Sequence, residues 1–313
     1  MSKGHEEASH RPGQDLRVLV TGAGGQLGQS IRQVLKLTGP VGPLKAAVRV
    51  GSTLWHFADR HTLDITKSKL VAEAITAIQP DVILNCAAYT AVDRAEQEPE
   101  LADAVNRNGV VNLLNASARG GAFIIHISTD YVFGNSGAEP HHELEIPSPR
   151  CVYARTKRDG ELALLGTWRA MVVRTSWLYS QYGHNFFRTV LSKCEEGAPM
   201  RVVYDQVGCP TWAGSLAAAL VRMVEQRKWS AGMYHYSDLG VASWYDMAMA
   251  IRSLAGAGNS IEPIRSYEYP SQAARPTHSV LDSTKSRREL GLPAVHWLAA
   301  LQECYQGMQG GAA

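Results

Sequence analysis

The chain has 313 residues, of which 45% are hydrophobic and 19% are charged, and its formal net charge is +2. This composition allows a large core in one or two domains, and without a basic stripe it gives no reason to expect a nucleic-acid partner. No apolar run approaches the ~20 residues that a membrane-spanning helix needs, so no membrane partner is expected.

The first 15 residues are polar and contain no apolar segment. They predict a disordered tail and not a secretory signal. The five cysteines are odd in number and form no Cys-x-x-Cys pair, and the eleven histidines show no metal-ligand spacing. We therefore expect reduced thiols, a cytoplasmic location and no metal site.

A glycine-rich turn at residues 21–28 follows an apolar strand predicted at residues 16–20, and a helical pattern begins at Gln29. This order is the context that a dinucleotide-binding fingerprint requires. Gly22 allows the tight turn, Gly25 lets a pyrophosphate approach the helix N-terminus, and Gly28 lets the helix pack close to the sheet. The alternative is an ordinary glycine-rich turn between a strand and a helix.

Residues 38–52 contain two Gly-Pro pairs and basic residues, which predict a long loop. The second strand, at residues 53–58, ends at Asp59 and Arg60. An acid there typically binds the ribose hydroxyls of adenosine, and a neighbouring arginine could accept a 2′-phosphate. NADH and NADPH are therefore both candidate cofactors, and a surface ion pair is the alternative. Asp64 or Thr66 would cap a helix at residues 67–78.

The third strand, at residues 81–86, leads into small residues that would let a flat cofactor ring lie against the backbone. A long helix is predicted at residues 99–119, followed by a strand at residues 124–127. Strands and helices thus alternate along the chain. The alternation predicts an α/β fold of the Rossmann type, with a doubly wound parallel sheet and ligands at the carboxyl ends of its strands.

A proton-donating site is predicted where this last strand meets the next helix. Tyr153 and Lys157 are four residues apart and share one helix face, and Thr129 ends the preceding strand. A nearby ammonium favours the phenolate and lowers the pKa of a tyrosine. The three side chains together suit the reduction of a carbonyl group. An amphipathic helix with an exposed lysine is the alternative.

Residues 185–313 have a different pattern from the alternation before them. A strand at residues 170–174 is followed by helices at residues 186–196, 212–225, 244–255 and 295–306, with polar and Gly/Pro-rich loops between them. Ser243 and Asp246 have the spacing of a capping pair. We therefore divide the chain into a tail (1–15), a dinucleotide-binding domain (16–184) and a smaller, mostly helical substrate lobe (185–313), with crossings between the lobes allowed.

Five segments of the sequence resemble one family. They are NCAAYTAVD (85–93), STDYVF (128–133), RTSW (174–177), DQVGCPT (205–211), and RP (275–276) with Ser279 and Leu281. The chain is similar to the extended short-chain dehydrogenase/reductase family, in its dTDP-4-dehydrorhamnose reductase branch, over roughly residues 16–301.

The resemblance implies that Thr129, Tyr153 and Lys157 are catalytic. The residue patterns and the resemblance together place cofactor contacts at Gly22, Gly25, Gln26, Leu27, Gly28, Asp59, Arg60, Asp64, Ile65, Ala87, Ala88, Tyr89, Thr90, Tyr153 and Lys157. They place substrate contacts at Thr129, Asp130, Tyr131, Trp177 and Arg275.

The implied reaction is the reduction of the C4 keto group of dTDP-4-dehydro-6-deoxy-L-mannose, or a closely related nucleotide sugar, by NADPH or NADH. Two alternatives remain open. A sugar-nucleotide dehydratase or epimerase would share the fold, although dehydratases carry a glutamate where Tyr131 stands. A non-catalytic, NADP-binding regulatory subunit of the methionine adenosyltransferase type would also share it. A homodimer is a further expectation that the sequence leaves open.

Overall fold

The computed structural model describes residues 15–37, 42–44, 46–134, 137–293 and 295–309. Its strands are β1 (Leu16–Thr21), β2 (Val48–Val50), β3 (Thr53–Ala58), β4 (Val82–Asn85), β5 (Phe123–Thr129), β6 (Ala170–Thr175), β7 (Leu178–Tyr179), β8 (Met200–Val203), β9 (Val207–Gly208), β10 (Thr211–Trp212), β11 (Gly232–His235), β12 (Ala242–Ser243) and β13 (Ile261–Ile264).

The helices are α1 (Gln26–Val34), α2 (Ser68–Ile78), α3 (Val92–Ala95), α4 (Pro99–Asp103), α5 (Gly109–Gly120), α6 (Val152–Leu164), α7 (Phe186–Glu195), α8 (Ala213–Glu225), α9 (Trp244–Leu254), α10 (Thr284–Leu290) and α11 (Trp297–Gln309). A π-helical turn, Ala104–Asn108, joins α4 to α5, and short 3₁₀ turns lie at Asp130–Val132 and Ser266–Glu268.

Within the described residues, seven strands form one sheet in the order β11-β6-β5-β4-β1-β3-β2. All neighbours pair in parallel except β2, which is antiparallel to β3. The predicted doubly wound α/β fold is confirmed. The strand order reverses between β1 and β4, because the chain leaves β1 toward β3 and then returns to its other side. A crevice for ligands opens at the carboxyl ends of strands at such a point.

Helices cover both faces of this sheet and bury its apolar strands. On one face, α1 and α8 pack together over a core that includes Val18, Val20, Trp55 and Leu220. On the other face, α2 packs against α5 over a second core that includes Leu19 and Ile83. Successive strand residues thus point into opposite cores, as a sheet buried on both faces requires.

The smaller lobe has its own core, built by α7, α9 and α11 around residues such as Phe187 and Met247. The strand pairs β8–β13, β7–β10 and β9–β12 lie outside the large sheet. However, α8 and β11 come from beyond residue 184 and join the large sheet and its core. The division at residue 184 remains a proposal, with the chain crossing between the lobes at these elements.

Several predicted boundaries change in the structure. The predicted loop at residues 38–52 contains the edge strand β2, because residues 48–50 pair with β3; residues 38–41 and 45 lie outside the described residues, as do residues 1–14 of the predicted tail. Helix α1 begins at Gln26, directly after the glycine turn, and not at Gln29. The predicted helix at residues 99–119 is interrupted by the π turn.

The two capping predictions have different outcomes. Ser243 and Asp246 form the expected reciprocal capping box at the start of α9. The predicted cap of α2 is wrong, because the N-cap residue is Lys67 and makes no side-chain cap hydrogen bond. The Asp64 carboxylate instead accepts hydrogen bonds from the Thr66 amide at 2.9 Å and from the Thr66 hydroxyl at 2.7 Å, which closes a local turn.

No helix of the described residues is long and apolar enough to cross a membrane.

Candidate active site

The glycine turn after β1 forms a close-packed bend against the loop after β4. Gly22 has a φ of +68°, and a Cβ added to it would lie 2.6 Å from the Ala87 backbone nitrogen. A Cβ at Gly28 would lie 2.5 Å from the Ala23 Cα. Side chains at either position would displace backbone, so both glycines are needed for the shape of the turn.

The N-terminus of α1 opens from this turn. Gly25 is the N-cap residue and offers no side-chain acceptor to the first amides of the helix, which include those of Gln26 and Leu27. Free amides at a helix N-terminus and the positive end of its dipole suit a phosphate group. The Gln26 side-chain oxygen accepts hydrogen bonds from Ser180 and Asn185, both at 3.0 Å, and so ties the turn to the segment before α7.

Asp59 follows β3 and lies beside the glycine turn. A Cβ added to Gly24 would lie 3.5 Å from the Asp59 Cβ. Asp59 Oδ1 accepts hydrogen bonds from the His61 and Thr62 amides, each at 2.9 Å. Burial tends to raise the pKa of Asp59. The hydrogen bonds from the two amides and from the Thr62 hydroxyl outweigh burial and lower this pKa, so the carboxylate is ionised at neutral pH. The neighbouring Arg60 is exposed.

Ile65 is a predicted cofactor residue whose side chain lies in the core. It is buried in the core under α2, its carbonyl accepts a hydrogen bond from Asn112 at 2.9 Å, and a Cβ added to Gly109 would lie 2.6 Å from its side chain. Its neighbour Asp64 is partly exposed. The Ile65 side chain is therefore a packing group of the core, and Asp64 is the more accessible residue of the two.

The loop after β4 contains Ala87, Ala88, Tyr89 and Thr90 and packs against the glycine turn at Gly22. Asn106, which lies in the π turn, holds this loop: its side chain accepts from the Tyr89 amide at 2.9 Å and donates to the Tyr89 carbonyl at 3.1 Å. The Tyr89 hydroxyl donates to Glu98 at 2.7 Å, which turns the ring toward α4. The loop backbone is therefore fixed.

Thr129 and Tyr153 meet at the carboxyl end of β5. The Thr129 hydroxyl donates to Asp130 Oδ1 at 3.1 Å and lies close enough to the Tyr153 hydroxyl to act on the pKa of that group. The Tyr131 ring packs edge-on against the Tyr153 ring, with centroids 5.9 Å apart. Thr129 and Tyr153 are both at least nine-tenths buried, so the sequence-predicted pair is brought together in a site of low solvent access.

Lys157 lies one turn further along α6 and is buried. Its Nζ donates to the Ile127 carbonyl at 2.7 Å and lies 3.4 Å from His126 Nε2. Burial lowers the pKa of Lys157 to about 8, although Glu161 and Cys86 act in the opposite direction. The amine therefore exchanges protons close to neutral pH.

The expected lowering of the Tyr153 pKa by Lys157 is not found in the chain by itself. Burial raises the pKa of Tyr153 above its ordinary value, the Thr129 hydrogen bond opposes the rise, and the negative charge of Asp130 adds to it. The reason is that the Lys157 ammonium bonds to the strand backbone. Tyr153 is consequently protonated at neutral pH, which is the state that a proton donor needs.

Asp130 is a buried carboxyl group beside these hydroxyls. Its Oδ2 accepts a hydrogen bond from Ser176 at 3.0 Å, and burial raises its pKa to about 6 although the neighbouring Ser279, Ser176 and Thr129 hydroxyls act in the opposite direction. Above that pH its carboxylate can therefore accept hydrogen bonds from a further donor.

Trp177 follows β6 in a strained conformation. Its φ is +46°, in the left-handed region that non-glycine residues rarely adopt. Its ring stacks on Trp244 with centroids 3.5 Å apart and an interplanar angle of 1°. A Cβ at Gly208 would lie 2.6 Å from the Trp177 ring. The indole ring thus packs against two segments of the smaller lobe, at Gly208 and at Trp244. The sequence did not predict the stacking partner Trp244.

Arg275 reaches the same region from the smaller lobe. Its guanidinium forms an ion pair with Asp93, with Nη2 and Oδ2 2.5 Å apart. Asp93 Oδ1 also accepts hydrogen bonds from the Gln272 and Ala273 amides. The pair links α3 to the loop that carries Arg275 and fixes the position of this predicted substrate residue.

Two polar groups at the site were missed because they belong to apolar or helical patterns. Asn106 is buried, and its Nδ2 donates to the Thr156 hydroxyl at 3.0 Å, which links the π turn to α6. His126 is fully buried within the strand β5. The only signal for His126 in the sequence was a polar residue inside a run of isoleucines.

In the described part of the chain, no three His, Cys, Asp or Glu side chains are grouped to hold a metal ion.

Comparisons with known proteins agree on one family. The family model described as the RmlD substrate binding domain matches residues 16–309. A dTDP-4-dehydrorhamnose reductase from Aggregatibacter actinomycetemcomitans is 37% identical over 297 residues, covering 91% of this chain and 97% of that protein. One from Streptomyces griseus is 38% identical over 300 residues, covering 94% of each.

One solved structure is similar to this chain over nearly the whole length of both proteins. The dTDP-4-dehydrorhamnose reductase from Bacillus anthracis, in complex with NADP, superposes with a TM-score of 0.85 and 32% identity. The match covers 94% of this chain and 100% of that one.

Proposed function

This chain belongs to the family of the RmlD substrate binding domain, and from that membership we propose that it reduces the C4 keto group of dTDP-4-dehydrorhamnose to give dTDP-L-rhamnose. It is a reductase-type oxidoreductase that uses NADPH or NADH. The observation that carries the proposal is the buried group of Thr129, Tyr153 and Lys157 at the carboxyl end of β5, beside the glycine turn.

The residues present fit a dinucleotide. The turn at Gly22 and Gly28 leaves no room for side chains, and no side chain caps the first amides of α1. We infer that the amides of Gln26 and Leu27 would hold the pyrophosphate and that Asp59 would accept the adenosine ribose hydroxyls. The loop of Ala87 and Ala88 would lie under the nicotinamide.

The protein's own contribution is proton delivery and orientation. When it is bound, the cofactor supplies the hydride. Tyr153, protonated at neutral pH, would give its proton to the C4 oxygen, and Thr129 would orient that oxygen. Lys157 would hold the nicotinamide ribose and replenish the proton of Tyr153. Burial keeps water away from these groups, which strengthens their hydrogen bonds to the substrate.

We infer that the sugar lies between β5, β6 and the smaller lobe. Asp130 would accept a hydrogen bond from a sugar hydroxyl, and Trp177 would pack its ring on the apolar side of the 6-deoxy sugar. Tyr131 and Arg275, which flank Tyr153 and the crevice edge, would close the pocket.

The proposal is tested by incubating the purified protein with dTDP-4-dehydrorhamnose and either NADPH or NADH. We expect loss of the nicotinamide absorbance together with a product that mass spectrometry and NMR identify as dTDP-L-rhamnose. Dinucleotide binding without turnover would favour the regulatory-subunit alternative. Elimination of water from a dTDP-hexose without net cofactor oxidation would favour the dehydratase.

Asp59→Ala tests the adenosine contact. We expect the Michaelis constant for NADH to rise roughly tenfold or more, since a hydrogen bond to a charged group is lost, and that for NADPH to rise less. Asp59→Asn is the matched variant, because it keeps an acceptor for the His61 and Thr62 amides. Steady-state kinetics with both cofactors provide the measurement. Equal changes for the two cofactors would show that Asp59 does not contact the ribose.

Trp177→Ala tests the sugar contact. We expect a roughly tenfold rise in the Michaelis constant of the sugar nucleotide, because the aromatic face is lost, with cofactor affinity unchanged. Trp177→Phe keeps an aromatic ring and should show a smaller rise, which separates contact loss from loss of folding. Trp168→Ala, on the exposed end of the loop after α6, is the surface control. Unchanged sugar kinetics in Trp177→Ala would assign the ring to packing alone.

Assembly and location stay proposals. We propose a homodimer and a cytoplasmic location; the latter is supported by the five free cysteines. Size-exclusion chromatography with light scattering would measure the oligomeric state.

A further inference from the structure

We propose that His126 is a positioning residue that controls the proton occupancy of the Lys157 amine, and that Asn85 selects the histidine tautomer that does so. The inference deepens the proposed function, and its effect on turnover rests on that function. It is carried by a line of buried hydrogen bonds that crosses the sheet beneath the crevice.

The line starts on β1 and ends on α6. The Thr21 hydroxyl donates to Asn85 Oδ1 at 2.7 Å, Asn85 Nδ2 lies 3.0 Å from His126 Nδ1, and His126 Nε2 lies 3.4 Å from Lys157 Nζ. Thr21, Asn85 and His126 are fully buried, and Lys157 is 2% exposed. No solvent reaches these groups to bond to an unpaired donor or acceptor. Each hydrogen-bond donor in this line is therefore favoured when it faces an acceptor.

The position of each proton follows from one backbone amide. The Ala87 N–H donates to Asn85 Oδ1 at 3.2 Å, and a backbone N–H can only donate. Asn85 Oδ1 is therefore the carbonyl oxygen, and its Nδ2 donates to His126 Nδ1. A neutral imidazole with an acceptor at Nδ1 carries its proton on Nε2. His126 consequently presents an N–H group to Lys157.

An N–H group that faces an amine favours the amine without its extra proton. Neutral Lys157 can accept from His126 Nε2–H through its lone pair, while an N–H of Lys157 donates to the Ile127 carbonyl at 2.7 Å. The ammonium form has no lone pair and would face His126 donor to donor. Burial acts in the same direction, because it also disfavours the ammonium and holds the pKa of His126 well below its ordinary value.

The other groups around Lys157 do not replace this control. Cys86 lies after β4, and burial raises its pKa to about 12, so it is a neutral thiol. Glu161 lies one turn along α6, but its carboxylate is paired with Arg174 and Arg158. The Tyr153 hydroxyl is protonated at neutral pH. His126 is thus the polar side chain that meets the amine directly from the strand side.

The consequence for turnover is a balanced proton cycle. After Tyr153 gives its proton to the C4 oxygen, one N–H bond of the Lys157 ammonium breaks and the O–H bond of Tyr153 forms again. His126 Nε2–H then stabilises the neutral amine until the product leaves and solvent enters the site, where a hydronium ion gives up one proton and restores the ammonium. An amine that is disfavoured as an ammonium passes its proton on more easily.

The test uses the Asn85→Asp variant and NMR of the free protein. An aspartate at position 85 accepts from His126 Nδ1–H, which moves the histidine proton away from Nε2 and lets Nε2 accept from the Lys157 ammonium. Long-range ¹⁵N–¹H spectra report the tautomer, and ¹³C shifts of the lysine Cε report the titration, with the Lys157→Met spectrum giving the assignment. We expect Lys157 to titrate about one pH unit or more higher in Asn85→Asp than in the wild type.

Thr21→Val is the matched control. It removes one buried hydrogen bond of the line but keeps the Ala87 amide on Asn85, so the wild-type tautomer should remain. A wild-type His126 that carries its proton on Nδ1 would overturn the proposal, and so would Lys157 titrating at the same pH in a folded Asn85→Asp. The wild-type tautomer needs no variant, so the proposal can fail even where Asn85→Asp does not fold. Neither measurement needs substrate, which separates this outcome from failure of the proposed function.

Discussion

We expect Tyr153→Phe to lower the turnover of dTDP-4-dehydrorhamnose by ~10²–10⁴, the usual loss when a positioned general acid is removed. The change deletes one hydroxyl and keeps the ring that packs against Tyr131. The fold and the dinucleotide affinity should therefore persist. Initial rates with the 4-keto sugar nucleotide, beside fluorescence titration with NADPH, measure the two quantities.

Tyr179→Phe is the matched control for this substitution. It also removes one buried tyrosine hydroxyl, but that hydroxyl lies in the core of the smaller lobe and has no hydrogen-bond partner among the described residues. We expect near-normal turnover in this variant. If Tyr153→Phe turned over as fast as Tyr179→Phe, the tyrosine of α6 would be a packing residue and another group would have to supply the proton.

The second large effect concerns stability. Arg174 on β6 and Glu161 on α6 form a two-point ion pair with N–O distances of 2.8 and 2.7 Å, and both side chains are almost fully buried. Arg174→Met leaves the Glu161 carboxylate buried without its main partner. We expect the free energy of unfolding to fall by ~3–5 kcal/mol, as measured by denaturant titration.

The exposed pair of Arg94 and Glu98 provides the comparison. Arg94 is about two-thirds exposed, so Arg94→Met should cost at most ~1 kcal/mol. Similar losses in the two variants would mean that the Glu161 carboxylate finds compensation, for example from Arg158, once Arg174 is gone.

The same pair predicts how stability depends on pH. Burial alone would raise the pKa of Glu161, but Arg174, Ser128 and Arg158 outweigh it and hold that pKa below its ordinary value. The contribution of the ionised Glu161 to the free energy of unfolding is therefore complete above the unfolded-state pKa of about 4.3. It is lost as the pH falls through the lower folded-state pKa. Arg174→Met should flatten this acid limb of the stability curve.

The sequence predicted the parts of the site that depend on local patterns. The glycine turn, the strands that flank it and the Tyr153–Lys157 spacing each follow from neighbours within a few residues. Thr129 lies at the end of its strand as predicted, although β5 continues two residues beyond the apolar run that ends at Ile127. Which of the predicted residues contact cofactor and substrate stays a prediction.

The remaining features depend on contacts between distant segments. The joining of α8 and β11 to the large sheet could not be predicted, because the apolar face of α8 is equally suited to either core. The raised pKa of Tyr153 follows from burial, which no pattern of residue types around it encodes. The turn that Asp64 closes resembles a helix cap in sequence, since the same side chain and the same spacing serve both.

The π turn before α5 has a consequence for chain length. A π turn holds one residue more than the α-helical ladder around it, and here the extra residue lets Asn106 reach both Tyr89 and Thr156. Deleting a residue there would return this turn to a regular α-helical ladder, so that the helix after it, with Val110 and Leu113 facing the core, would keep its orientation. The deletion would instead take away the extra residue that brings Asn106 within reach of Tyr89 and Thr156. A one-residue deletion in this turn should therefore leave the core packed and release the loop after β4.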